Sequence, residues 1–196
     1  MMDVFLNLLR VIHITSVILM AWPFYALVAV NQRARLGPPL GDRADTYLEN
    51  IIKNRTIPCY VFQLSALLSG LLIILLRGLG LSYVLANPIL AAKLGLLIAL
   101  GALLTYVYTA LQPKIDASFH ELASGAASQD LTQRIASLRL RRKRVASICL
   151  FCVLTAAMLG LQVWAAFPIW LTAVLVLVIA AFVWRAYSSV TPYGWA

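Results

Sequence analysis

The sequence is short of charge, and shorter still of acid. Only 12% of its 196 residues are Asp, Glu, Lys or Arg, with 7 acidic against 16 basic. An average soluble domain is about a quarter charged, so this shortage argues against both a disordered chain and a water-soluble globular domain. Three cysteines (Cys59, Cys149, Cys152) supply no framework for a disulfide-stapled secreted fold. Cys149 and Cys152 form a C-x-x-C, but no second pair exists to complete a tetrahedral metal site, so they read as small buried residues and no metal site is assigned. The chain has no Walker loop, no G-x-G-x-x-G opening a helix, no H-E-x-x-H and no G-x-S-x-G. No catalytic residue can be assigned on these grounds.

What the sequence does have is apolar length. It is 62% hydrophobic, with a mean hydropathy of +0.88. Lipid offers no partner to backbone N–H and C=O groups, so a membrane chain must form helices or a closed barrel. The strict alternation of a barrel strand is missing, and a spanning helix needs about 20 mainly apolar residues. Five stretches qualify: about 4–30, 58–76, 88–111, 145–167 and 168–187, with polar loops at 31–57 and 112–144. The expectation is an all-α membrane protein, a single domain of five antiparallel transmembrane helices. The first stretch has Asp3 and no Lys or Arg before Arg10, and it is too long for a signal peptide, so it reads as a retained helix. Pro23 inside it predicts a kink or break near Trp22. Pro58, Pro88 and Pro168 fall at or near span starts, where a missing N–H costs little. The last two spans are close enough for a tight helical hairpin or a re-entrant turn.

The positions of the cations set the orientation. Thirteen of the 16 Lys and Arg fall in the segments 31–57 and 112–144 or near the end of the fifth span. Only Arg10, Arg77 and Lys93 fall on the other side. By the positive-inside rule the N-terminus is outside and the C-terminus cytoplasmic, in an inner membrane. The run Leu138 to Arg144 directly precedes the fourth span, and reads as an anchor for anionic lipid rather than a nucleic-acid site. Leu131, Ile135 and Leu138 recur at helical spacing, which predicts a helix on the membrane surface that runs into that span. Gly37 to Asp45, with its Gly-Pro-Pro, reads as a loop. Trp22, Trp164, Trp170, Tyr193 and Trp195 fit interfacial aromatic belts. The pairs Ala66/Gly70, Ala91/Gly95, Gly101/Thr105 and Ala156/Gly160 fit close helix contacts.

Polar groups at membrane depth are costly and mark functional sites. The first span carries Asp3, Asn7, Arg10, His13 and Ser16, roughly along one helical face. Lys93 lies five residues into the third span, about 7 Å along its axis, at a depth comparable to His13. Arg77 and Gln162 fall in the same half of the bilayer. Arg10, His13, Lys93 and Gln162 are therefore the candidate ligand-binding residues, a mostly cationic set suited to an anionic group such as a carboxylate. Lys93, Arg10 and Arg77 are also long enough to snorkel to the interface. His13 is too short for that, and is either a ligand or an interhelical hydrogen-bonding residue. The only other histidine, His120, lies in the loop after the third span, which excludes a bis-histidine haem within one chain. Met20 and Met158 are soft candidates that also serve as packing.

The stretch Leu9-Arg10-Val11-Ile12-His13-Ile14-Thr15-Ser16, the Lys in Ala91-Ala92-Lys93-Leu94-Gly95, and the basic run Leu138 to Arg144 resemble a loose group of bacterial membrane proteins. It contains HemJ-type protoporphyrinogen oxidases, CopD-type copper proteins and related integral membrane proteins of unassigned function, the last being the nearest. The resemblance covers roughly residues 5–165. It implies a four-helix core with a tetrapyrrole, haem b as the candidate, or a redox partner near His13 and Lys93. The sequence differs from the HemJ type in having no further histidine within the membrane, in Pro23 beside Trp22, and in its fifth span. Two functions follow as expectations. One is a bundle binding haem or a similar small ligand. The other is a non-catalytic subunit of a larger respiratory or photosynthetic membrane complex, in contact with other subunits or with copies of itself. A transporter fits less well, since no inverted repeat is visible and five spans do not halve.

Overall fold

The computed structural model describes residues 2–30, 43–53, 56–124, 129–163, 165 and 167–188. The described residues form eight α-helices and no strand. They are α1 (Met2–Val30), α2 (Arg43–Lys53), α3 (Thr56–Leu76), α4 (Ser82–Ala86), α5 (Pro88–Tyr106), α6 (Gln112–Ala123), α7 (Gln129–Gln162) and α8 (Ile169–Ser188). A π-helical turn, Val107–Leu111, joins α5 to α6. Five helical stretches are long and apolar enough to cross a membrane: Asp3–Val28, Thr46–Leu76, Pro88–Ala123, Gln129–Gln162 and Ile169–Ser188. The protein is an all-α membrane bundle. In the second, third and fourth stretches the charged residues other than Lys93 gather at one end, beyond the apolar part that occupies α3, α5 and the latter half of α7.

Interhelical contacts fix the antiparallel order. His13 on α1 meets Ala66 on α3, Gln63 on α3 meets Leu97 on α5, Lys93 on α5 meets Gly160 on α7, and Lys143 on α7 meets Tyr187 on α8. Helices α1, α3, α5 and α7 form a four-membered ring, and α8 lies outside it against α7 and α1. The apolar core holds Met20, Phe24, Leu100, Cys149, Leu150 and Val153. Helix α7 is the most enclosed element, whereas α8 buries only Val183 and is half-covered along one side. The large exposed side chains, among them Trp22, Trp170 and Trp184, form the outward face a bilayer would cover.

Local chemistry explains most of the boundaries. Asn87 caps α5 by accepting from the N–H groups of Ile89 and Leu90, and Pro88 takes the first helical position. Gly78 and Gly80 both adopt φ +71° in the turn after α3, a conformation that side chains disfavour. The 34 residues of α7 span about 50 Å, well beyond a hydrocarbon core of about 30 Å. Its first half therefore has to stand outside the bilayer.

Several expectations change. The helix runs on through Pro23, so no break occurs there. The segment 31–57 is not all loop: Arg43–Lys53 is helical, because Leu48, Ile51 and Ile52 fall on one face. The loop reading of 37–42 and the aromatic reading of Trp164, Tyr193 and Trp195 lie outside the described residues. The helix at 131–144 does run into the fourth span as one piece, but it does not lie on a lipid surface. Its Leu131 and Ile135 are buried, and it packs on α6. The fourth span ends at Gln162 rather than near 167, and α7 and α8 form a helical hairpin. The small residues of Ala91/Gly95 make no close contact, since nothing lies within 4 Å of where a Gly95 Cβ would stand.

Candidate functional site

Three polar side chains inside the ring, His13, Gln63 and Lys93, are each set against a neighbouring helix at a place where a glycine leaves room. The Nδ1 of His13 is 2.8 Å from the carbonyl oxygen of Ala66 and 3.1 Å from the Ser69 hydroxyl. A Cβ on Gly70 would stand 3.2 Å from His13 Cε1. The Gln63 amide donates to Leu97 O at 2.6 Å, and its Nε2 is 3.0 Å from a Cβ position on Gly101. The Lys93 ammonium is 3.2 Å from the corresponding position on Gly160. Three of the small-residue pairs seen in the sequence thus serve to seat a polar side chain (His13, Gln63 or Lys93), as well as to bring helices together.

The contact with Ala66 decides the chemistry of His13. A backbone carbonyl only accepts, so Nδ1 carries the proton in the neutral ring and Nε2 keeps a lone pair. That is the arrangement in which a histidine binds a metal through Nε2 while its other nitrogen is held by an acceptor. Lys93 enters the ring from α5, with its ammonium against Gly160 of α7. Its ammonium has no hydrogen-bond or ion-pair partner among the described residues, although most of its side chain is withdrawn from solvent.

The other two candidates are engaged elsewhere. Arg10 donates to Asn7 Oδ1 at 2.6 Å, one turn back on its own helix. Gln162 is buried, and its amide donates to Thr172 Oγ1 at 2.6 Å and contacts Met158 Sδ at 3.6 Å, which ties α7 to α8. His13 is thus held against α3 and Lys93 against Gly160 of α7, while Gln162 serves in the hairpin. Ser16, also on the α1 stripe, donates to Ser65 on α3. Met20 packs in the apolar core and Met158 contacts Gln162, so the donor set near the imidazole is one nitrogen. Among the described residues no three His, Cys, Asp or Glu side chains are placed to hold a metal ion, and all three cysteines are free and buried.

A second polar cluster was not anticipated. At the basic end Glu49 on α2 faces Arg139 and Arg142 on α7 and Gln112 at the start of α6. Arg142 donates to both carboxylate oxygens of Glu49 and to Gln112 Oε1, and Arg139 donates to Glu49 Oε2 at 3.2 Å. Gln112 donates in turn to Glu49 and to Asp116, and Asp116 pairs with Lys53 at 2.8 Å. The run Leu138 to Arg144, read as a lipid anchor, is split by the helix. Arg139, Arg142 and Lys143 are 3%, 1% and 0% exposed, whereas Arg141 and Arg144 face outward. Lys143 donates to Tyr187 O at 2.6 Å, at the C-terminal end of α8 where the helix dipole favours a cation. Burial pushes the Glu49 carboxyl up, but Arg142, Arg139 and Gln112 outweigh it and hold the group below the usual carboxylate range. Glu49, Gln112 and Gln63 carried no motif, and the only available signal was their position. Arg139 and Arg142 continue the buried stripe of Leu131 and Ile135 at helical spacing.

No family model matches the chain, no curated protein is significantly similar to it, and no solved structure matches it.

Proposed function

We propose that this chain is a bacterial inner-membrane bundle that binds a small anionic ligand at His13 and Lys93, with its basic end on the cytoplasmic side. The observation that carries this reading is the Lys93 ammonium, which lies against Gly160 at membrane depth with no acceptor among the described residues. An uncompensated cation is expensive in lipid, and an incoming carboxylate would lower that cost. Were a haem the ligand, His13 would hold its iron through Nε2 and Lys93 would pair with a propionate. Haem b would supply one-electron chemistry there. Ala66 and Ser69 orient the imidazole, and Gly70 and Gly160 keep space beside the two reacting side chains. Ser65 and Ser69 also line a shallow apolar groove between α1 and α3 on the outer face of the bundle.

The test is the visible spectrum, with a pyridine haemochrome assay, of protein purified from a haem-competent host. A Soret band that disappears in His13→Ala and weakens in Lys93→Met is the expected result. Protein free of porphyrin, with His13→Ala indistinguishable from wild type, would refute the reading. Co-purification of stoichiometric membrane subunits without any chromophore would favour the accessory-subunit function instead.

A further inference from the structure

The basic end contains a device that stands apart from the His13 site. Helix α2 belongs to the segment joining α1 to α3, and its backbone makes few close approaches to other helices. A few side chains on one face attach it. Glu49, Ile52 and Lys53 lie three and four residues apart, the spacing that puts side chains on a single helical face. Glu49 enters the Arg139–Arg142–Gln112 cluster, Ile52 is buried, and Lys53 reaches Asp116.

Directly beneath this attachment is an internal cavity of about 20 Å³, room for roughly one water molecule. Its wall includes Ile52 and Thr56 on one side, Gln112 and Arg142 on another, and Cys59 and Cys149 within. The residues that latch α2 thus also form the rim of the cavity, and α2 contributes Ile52 as part of its cover. Both thiols are almost wholly enclosed, Cys59 at 2% and Cys149 at 1% exposure. The π-helical turn is part of the same construction. Val107 lines the cavity, and the extra residue in the turn sets the register at which Gln112 points back to Glu49 and Arg142. Turns of this kind recur at functional positions in helices.

We infer that α2 is a strap latched by Glu49, which closes the basic-end mouth of the interior cavity and opens as a unit when the latch is released. The carboxylate acts as a built-in anion for Arg139 and Arg142. Releasing it exposes Cys59 and Cys149 to water, and these native thiols report the state of the strap without any introduced probe.

The experiment uses the full chain in detergent or in membranes, with N-ethylmaleimide labelling of each cysteine followed by peptide mass mapping. In the wild type Cys59 and Cys149 should label slowly. Glu49→Gln keeps the shape and removes the charge, and should label both at least tenfold faster, with Cys152 unchanged. Zero-length carbodiimide coupling then converts the Lys53–Asp116 ion pair into an amide that pins α2 shut. The coupled fraction should label more slowly than the uncoupled fraction of the same wild-type sample, a comparison that holds even if Glu49→Gln does not fold. Equal labelling of coupled and uncoupled wild type would overturn the inference. So would a folded Glu49→Gln that labels no faster than wild type, or one in which all three cysteines accelerate together, since that reports general loosening.

Discussion

The two ends of this bundle bury polar groups in different ways. At the sparse end His13 and Gln63 are placed singly, each hydrogen-bonded to a carbonyl of the next helix over a glycine. At the basic end Glu49, Arg139, Arg142 and Gln112 satisfy one another as a network. Neutral side chains can be accommodated by a backbone dipole, because desolvating them costs little once one bond is made. Buried ions need stronger partners: the chain recruits Glu49 from a separate helix for Arg139 and Arg142, and sets Lys143 on Tyr187 O at the C-terminal end of α8. Lys93 follows neither pattern. It sits at the sparse end, where neutral groups are accommodated, but carries the charge of the other. This contrast is the physical reason for placing a ligand beside it.

The comparison is broken most severely by removing one ion from the network. Glu49→Ala leaves two guanidiniums facing each other in an enclosed site, and Arg142→Ala leaves a carboxylate with only Arg139 and the neutral Gln112. Losing one partner of a buried pair costs about 3–5 kcal/mol, enough to unfold many domains. Replacing Glu49 with Leu and Arg142 with Met together should cost markedly less than the sum of the single changes, and a double-mutant cycle on unfolding in detergent measures that coupling. Acid acts on the same group. Because the folded carboxyl titrates below the unfolded one, the unfolded chain takes up the proton first as pH falls. The Glu49 contribution is complete above the unfolded value of about 4.3 and is lost as pH drops through the folded value. Arg139, Arg142 and Gln112 face this carboxylate, with Asp116 and Lys53 beyond Gln112. The loss should be smaller in Glu49→Gln than in wild type.

The spans could be read from the sequence because a run of about 20 apolar residues has no alternative in water. The end of each span was harder to place, since α7 continues as helix through its charged half. His13 and Lys93 were legible as isolated polar residues in apolar surroundings. Their seating was not, because it depends on which glycine of a neighbouring helix lies opposite. The basic cluster was concealed by composition: five cations between Arg139 and Arg144 look like a solvated face until they are sorted by helical angle. Arg139 and Arg142 then fall in line with Leu131, Ile135, Ala146 and Cys149, which are all buried. Glu49 could not be connected to them at all, since it is 90 or more residues away in the chain.

The sparse end is more tolerant, and its predicted effects are smaller. Gly70→Val would place methyl groups in the space occupied by the imidazole, already 3.2 Å from a Cβ position. Overpacking of this kind costs about 1–3 kcal/mol, and here it should also displace His13 from Ala66. His13→Ala removes the hydrogen bond without adding bulk, and interhelical hydrogen bonds in membranes average about 0.6 kcal/mol. Gly70→Val should therefore destabilise more than His13→Ala, and the double variant should recover part of the loss, because the smaller side chain leaves room for valine. Unfolding midpoints in a common detergent rank the three. Equal damage from the two single variants would mean that the glycine serves helix contact and not the histidine.

The smallest effect belongs to the rim of the basic end. Lys53 and Asp116 form a good ion pair at 2.8 Å, but the lysine is half exposed, and water screens such pairs to about 0.2–1 kcal/mol. Lys53→Met should lower stability by no more than that, and raising salt should shrink the difference from wild type. Glu49→Ala should keep most of its cost at the same salt, because its partners are enclosed. The ratio of the two salt dependences measures burial directly. If both variants lose their effect together as salt rises, the network is wet, and the distinction between an enclosed latch and a solvated rim fails.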